Sequence, residues 1–442
     1  MSKRIFKINI KNRLISVLLP YLCALKLNSD LVDFMKILQL CKKFPFPLKD
    51  GESIAVTYLS NALHEQGCEI TLLSMNTTKH YTDLRSLPPD FNHYKAIYVT
   101  PLDNKIKVFD AFKNLFSRES YHIIRFVSKD FESKLIELLQ KEKFDVVQLE
   151  TLYLAPYIET IKKYSNALVT MRAHNVEYEI WERITTNTQF LPKKWYLKYL
   201  TQKLKNFELG RLNDYDYLIA VSERDLKEFK NLGYKNGAMA SPIGLNLGHY
   251  ANIKPIKTLN SMCFIGALDW MPNLEGLDWF LQQVWPKLTQ HFPDVEFHIA
   301  GRNTPNAITD IQYNNVIVHG EVDNAIEFIN NHSIMIVPLF SGSGMRVKIL
   351  EGMALGKIVI TTTLGKEGIE AENNKHLIIA DTPQEFINAI DKIKNSPEMI
   401  PAISENAKKF VEDYYDHNHN AEKLLLKYKE LKNNPKYLAS SK

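Results

Sequence analysis

Residues 334–362 read Ile334-Met335-Ile336-Val337-Pro338-Leu339-Phe340-Ser341-Gly342-Ser343-Gly344-Met345-Arg346-Val347-Lys348-Ile349-Leu350-Glu351-Gly352-Met353-Ala354-Leu355-Gly356-Lys357-Ile358-Val359-Ile360-Thr361-Thr362. The apolar run 334–338 has the composition of a buried strand. Gly342 and Gly344 let the backbone turn tightly and approach a ligand closely. From about Met345 the spacing is helical, with Val347, Leu350, Met353 and Ala354 on one face. Gly356 ends that helix, and 358–362 is the next strand. A helix N-terminus behind a glycine turn exposes free N–H groups and a partial positive charge, which suits a phosphate. Arg346 and Lys348 add two full cations in the first turn. The helix dipole disfavours them there, so they read as serving an anion. Glu351, about two turns in, offers a carboxylate to sugar hydroxyls. Together these groups describe a seat for a nucleotide sugar.

The 442 residues exceed what one core usually holds, so two domains are expected. Their predicted limits are 35–250 and 251–415, with an N-terminal extension over 1–34 and a terminal helix and tail over 416–442. A net charge of +5 suits phosphate-bearing substrates or an anionic membrane surface and gives no sign of nucleic acid. Cys23, Cys41, Cys68 and Cys263 are scattered without metal spacing, which points to a reducing cytoplasm. In 1–34 five basic residues precede an apolar run too short to span a bilayer. Three readings stay open there: an over-long start, a basic interfacial helix on a membrane, and a packed accessory segment.

The first domain opens with a strand over 36–41, a loop over 45–53, a helix near 54–66 closed by Gly67, and a strand over 69–74. That is a Rossmann-like βαβ unit, in which ligands sit at the carboxyl ends of strands. Gly51 and Glu52 in the loop should therefore face the cleft on the acceptor side, although a plain connecting turn is the competing reading. Further strands are expected at 96–99, 145–149, 168–171 and 216–221. His174 and Asn175 open a loop at the end of the 168–171 strand, where a ligand is within reach. Residues 103–128 are basic and aromatic; the acceptor cleft and a solvated face are equal readings for them. Residues 191–211 interleave Lys193, Lys194, Lys198, Lys203 and Lys205 with Trp195, Tyr196, Tyr199 and Phe207. Such a helix suits an anionic membrane interface. The alternative is a helix whose aromatics pack on the first domain. In the second domain strands are expected at 262–267, 296–300 and 316–318. Asp269 and Asn273, in the loop after Gly266, read as hydrogen-bonding partners for nucleotide or sugar, or as a helix start.

The run Glu351-Gly352-Met353-Ala354-Leu355-Gly356-Lys357-Ile358-Val359, with the glycine turn and Arg346 before it, resembles the retaining glycosyltransferases of the group 1 class (family 4). Arg172-Ala173-His174-Asn175-Val176-Glu177 and Ser241-Pro242-Ile243-Gly244-Leu245-Asn246 resemble segments of the same class. The resemblance extends over roughly 35–431. It implies the α/β GT-B fold, in which two Rossmann-like domains face each other across a deep cleft and a C-terminal helix crosses back. It implies catalytic roles for Arg346, Lys348 and His174. Donor contacts fall to Gly342, Ser343, Gly344, Met345, Glu351, Gly266, Asp269 and Asn273, with His319 and Gly320 beside the base. The class often carries a Glu where Ser343 stands, so the donor-sugar contact passes to backbone N–H groups of 343–345. It also often has an Arg and a Lys after Gly266, which are missing here; Arg346 and Lys348 are the substitutes. Residues 365–369 are expected to close over the donor.

The expected reaction moves a sugar from a nucleoside-diphosphate sugar to a glycan or lipid-linked acceptor, with surface polysaccharide synthesis as the setting. No Asp-x-Asp metal signature ends a strand, so no metal or other cofactor is expected beyond the donor itself. The expected location is the cytoplasm, with peripheral contact to the inner face of the membrane as an open extension. A nucleotide-sugar epimerase of the same fold and a non-catalytic binder with a degenerate site remain as rivals. An oxidoreductase is disfavoured because no Gly-x-Gly-x-x-Gly follows a strand.

Overall fold

A computed structural model describes residues 34–48, 50–89, 91–105, 107, 114–251, 253, 261–342 and 344–434. The expectations for 1–33, for the tail beyond 434 and for Ser343 lie outside these residues. The chain forms two parallel sheets flanked by helices. The first contains β1 (Lys36–Cys41), β2 (Glu69–Thr77), β3 (Ala96–Leu102), β4 (Val146–Leu149), β5 (Leu168–Ala173), β6 (Tyr217–Ala220) and β7 (Gly237–Ala240), in the order β3-β2-β1-β4-β5-β6-β7. The second contains β8 (Ser261–Ile265), β9 (Glu296–Ala300), β10 (Val316–Gly320), β11 (Ile334–Val337), β12 (Ile358–Thr361) and β13 (Ile378–Ile379), in the order β10-β9-β8-β11-β12-β13. β7 and β13 went unread in the sequence. Gly237-Ala238-Met239-Ala240 lacks β-branched residues, and β13 is two residues long.

The strand order decides where ligands can bind. The chain winds outward from β1 to β3, then returns to place β4 on the other side of β1. It does the same at β8 and β11. At each reversal the loops leave the sheet in opposite directions and open a crevice at the strands' carboxyl ends. In the first sheet that crevice lies under the ends of β1 and β4, and in the second under the ends of β8 and β11. The Gly342 turn follows β11 directly.

The central strands are buried on both faces, which explains the nearly continuous apolar runs of β6, β11 and β12. The Gly51–Glu65 helix starts three residues before the sequence suggested, because Asp50 accepts the Ser53 N–H at 3.0 Å and caps it. The chain crosses between the sheets twice. Leu245 N–H donates to Tyr415 O at 2.7 Å and His417 N–H to Leu245 O at 3.1 Å, so the two crossings run side by side. A Cβ on Gly244 would lie 2.3 Å from the His417 Cα, so only glycine allows that approach. The last helix, His417–Lys432, then returns to the first sheet. Its Leu424, Leu425, Tyr428 and Leu431 pack with Leu59, Ala62 and Leu63 of the Gly51–Glu65 helix.

Candidate functional site

The carboxyl end of β11 leads into the glycine turn. Gly342 and Gly344 have φ of +90° and +82°, a region closed to most side chains. At Gly344 a Cβ would also meet Asn175 Oδ1 at 2.8 Å, so the turn lies against the His174-Asn175 loop of the other sheet. The helix begins at Val347, later than the spacing suggests. Arg346 is its N-cap, with φ −88° and ψ 85°, and so precedes the first turn. The cation therefore stands in front of the helix N-terminus instead of alongside it, where its charge and the free N–H groups can act on one anion.

Both terminal nitrogens of Arg346 are shut off from solvent and have no hydrogen-bond partner among the described residues. Burial and neighbouring Arg183 depress its pKa to about 10, and only Glu367 opposes them. An unpaired buried guanidinium is costly, so an arrangement that keeps one is built for something that pairs with it. Lys348 is two residues further on, in the first turn of the helix. Its Nζ donates to Asn273 Oδ1 at 2.8 Å and Ile265 O at 3.2 Å and lies 4.9 Å from the Phe264 ring centroid. Burial first, then Arg346, pull its pKa down to about 7, while Glu351 opposes them. It is thus poised to take up a proton when an anion arrives. Gly266 adjoins it, since a Cβ there would meet Lys348 Nζ at 3.0 Å and Asn273 Nδ2 at 2.9 Å. Asn273 is held in turn by donating to Ala267 O at 2.9 Å. Glu351 accepts the Tyr250 hydroxyl at 3.4 Å; burial raises its pKa although Tyr250 and Lys348 favour the carboxylate.

Across the cleft, Gly51 opens its helix so that a Cβ would lie 3.8 Å from Val347 Cγ2. Two helix N-termini therefore face one another. Glu52 is 3.3 Å from Lys42 Nζ and 3.8 Å from Lys43 Nζ. Burial would raise its pKa, but the two lysines and His174 hold it below the usual value. His174 Nε2 is 3.2 Å from Glu150 Oε2, and burial lowers the imidazole pKa. His174 is therefore a neutral ring held through one nitrogen.

Glu150 is the residue that sequence reading missed. It is fully buried at the end of β4, at the crevice under β1 and β4. It gathers Gln39 from β1, Gln148 from β4, Arg172 from β5 and His174 from the loop after it. Burial works against its charge, yet Arg172, His174 and Gln39 hold its pKa at about 2. Arg172 Nη1 also donates to Ala55 O at 3.1 Å, and the Tyr428 hydroxyl donates to Gln148 at 2.6 Å. The returning helix thus bears on the same network. A second missed contact joins the two sheets. Arg183 donates to Glu367 through two nitrogens at 2.5 and 2.7 Å and to Gly342 O at 3.3 Å. The 365–369 loop therefore lies over the glycine turn through an ion pair. The helix that carries Arg183, Glu177–Asn187, is capped by Glu208, which accepts the N–H groups of Glu177 and Tyr178.

Gly266, Asn273, Gly342, Gly344, Met345, Arg346, Lys348, Glu351, Gly51, Glu52, His174 and Asn175 thus border one interdomain cleft. Asp269 is exposed and accepts from Asn303 at 3.0 Å. His319 pairs with His298 at 2.9 Å and packs on Phe328. Neither contacts the Arg346–Lys348 group, while Gly320, with φ +69°, ends β10 beside β9. Among the described residues no group of three or more His, Cys, Asp or Glu is placed to hold a metal ion.

Residues 260–396 match the family model described as "Glycosyl transferases group 1". The chain carries a group 1 glycosyltransferase domain over those residues. It is accordingly an enzyme of glycosyl transfer. A protein of Klebsiella pneumoniae described as "Uncharacterized 44.6 kDa protein in cps region" is 26% identical over 303 residues, covering 64% of this chain and 74% of that one. The fold matches sucrose-phosphate synthase of Thermosynechococcus elongatus with a TM-score of 0.65 at 15% identity, over 90% of this chain and 99% of that one. It matches Anabaena HepE in complex with UDP with a TM-score of 0.61 at 13% identity, over 90% and 100%. The glycosyltransferase thus has the GT-B architecture that its motifs led us to expect, with the last helix returning to the first sheet.

Proposed function

We propose that this glycosyltransferase moves a sugar, with retention of anomeric configuration, from a nucleoside-diphosphate sugar to a glycan or lipid-linked acceptor in surface polysaccharide synthesis. The observation that carries the donor reading is the unpaired, buried guanidinium of Arg346 in front of a helix N-terminus, with Lys348 beside it. As the bond from the anomeric carbon to the diphosphate oxygen breaks, negative charge grows on the leaving phosphate. Arg346, Lys348 and the N–H groups behind Gly342 offset it in place, which is electrostatic stabilisation of the transition state. These groups supply the positive charge that a divalent cation would otherwise bring, so the reaction proceeds without metal in this reading. Glu351 takes the ribose hydroxyls and fixes the donor. His174, kept neutral by burial and oriented by its contact with Glu150, is assigned to the acceptor side near the donor sugar with Asn175, Gly51 and Glu52.

The complex of Anabaena HepE with UDP supports a uridine nucleotide as the first donor to try, and the Klebsiella relative in a cps region supports the polysaccharide setting. The work is done at the cytoplasmic face of the membrane. The test is product analysis with a panel of nucleotide sugars and lipid-extract acceptors. Transfer with the anomeric configuration of the donor preserved is the expected result. A free epimerised sugar nucleotide, or binding with no turnover of any donor, contradicts it.

A further inference from the structure

The Leu191–Arg211 helix does not divide as either simple reading of its sequence requires. Leu197, Leu200 and Leu204 are buried against the first domain, while the N-terminal tip stands out of it. Phe190, Leu191 and Trp195 are 67%, 76% and 69% exposed, and Trp195 stacks on Tyr199 with ring planes 8° apart. Tyr199 donates to Leu115 O at 2.6 Å, which brings Phe116, 83% exposed, to the same tip. These four are among the six large apolar side chains that are 67% exposed or more among the described residues. Ile184 on the preceding helix is also exposed. Apolar surface gathered in this way on a soluble domain marks an interaction face.

The charge around it selects the partner. From Ile184 to Phe207 there is no acidic residue, and there are five lysines. Lys203 is buried on Asn114 O, Lys205 pairs with Glu182, and Lys194 donates to Thr186 O. Lys193 and Lys198 are exposed beside Trp195. Trp, Phe and Leu flanked by free lysines fit the headgroup boundary of an anionic bilayer, where the rings bury shallowly and the ammonium groups meet lipid phosphates. No helix among the described residues is long and apolar enough to cross a membrane, so this face lies on the surface.

We propose that Phe116, Phe190, Leu191 and Trp195, with Lys193 and Lys198, form the face by which this enzyme docks on an anionic membrane. The position serves the reaction. The exposed tip continues from the Glu177–Asn187 helix, which is 11 residues long and starts two residues after Asn175. The docking face is therefore about 16 Å, one helix length, from the acceptor side of the cleft. A lipid-linked acceptor reaches the cleft without leaving the bilayer. That last step rests on the transferase reading; the docking face itself does not.

The test uses the full chain, so that residues 1–33 are present, and vesicles of phosphatidylcholine with or without about a third phosphatidylglycerol. Wild type should sediment with the anionic vesicles and stay in solution with the neutral ones. Two variants, Leu191→Ser/Trp195→Ser and Lys193→Glu/Lys198→Glu, should each bind anionic vesicles about tenfold more weakly. Both should keep the wild-type melting temperature and its shift by nucleotide sugar, because neither touches the cleft. Undiminished vesicle binding by the variants overturns the proposal and assigns any binding to another segment. So does wild type that ignores anionic vesicles. A change in oligomeric state in place of vesicle binding overturns it in favour of a protein partner. Failure of the nucleotide arm alone would sink the donor reading and leave the docking face standing.

Discussion

Arg346→Ala should lower kcat by about two to three orders of magnitude with the fold intact. The guanidinium has both terminal nitrogens buried and no partner among the described residues, so the fold spends stability to keep it. Removing it relieves that cost. The variant should therefore melt at or above the wild-type temperature while losing turnover, a combination that a structural arginine does not give. Arg346→Lys should recover only part of the loss, since an ammonium cannot span two phosphate oxygens as a planar fork does. Steady-state kinetics beside thermal melts would decide it. Near-wild-type turnover in Arg346→Ala would remove the residue from the mechanism.

Glu150→Ala should cost about 3–5 kcal/mol of unfolding free energy. The carboxylate neutralises Arg172, which is 1% exposed, and it accepts from Gln39, Gln148 and His174. Truncation leaves a buried guanidinium and two amides without their acceptor. Because the pKa of Glu150 is depressed to about 2, its contribution is fully present above the normal carboxylate range and is lost only as pH falls toward 2. The penalty of the variant should therefore be constant across neutral pH in denaturant titrations. A penalty below about 1 kcal/mol would show that the network is not a support of the fold.

The sequence reached as far as residues that are neighbours in the chain. The glycine turn, its two cations and Glu351 fall within ten residues, so spacing alone could group them. The strand-loop-helix order placed Gly51 and Glu52 at the carboxyl end of β1, where ligands of such sheets sit, while the strand reversals appear only in the structure. The Glu150 network was hidden for the opposite reason. Gln39 and Glu150 are 111 positions apart, and Gln148-Leu149-Glu150-Thr151 looks like an ordinary strand end. Arg183 and Glu367, 184 positions apart, were hidden in the same way. The first pairing exists only once β1 and β4 lie side by side in one sheet, and the second only once the two domains are brought together. The 191–211 helix stayed ambiguous because its aromatics lie on several faces, and only packing shows that its leucines go inward while its tip does not.

The most direct measurement is the shift in melting temperature that a nucleotide sugar gives to wild type and to Arg346→Ala, taken at about pH 6 and about pH 8. A ligand that binds only the folded state raises its melting temperature. Lys348 has a pKa of about 7 in the free protein and is more basic beside a diphosphate, so it enters the complex charged. Wild type must pay for that proton as pH rises through 7, and its shift should shrink. The account predicts a clear shift in wild type, larger at the lower pH, and none in Arg346→Ala. Equal shifts in the two proteins would show that the nucleotide sugar binds somewhere other than the turn between Gly342 and Glu351.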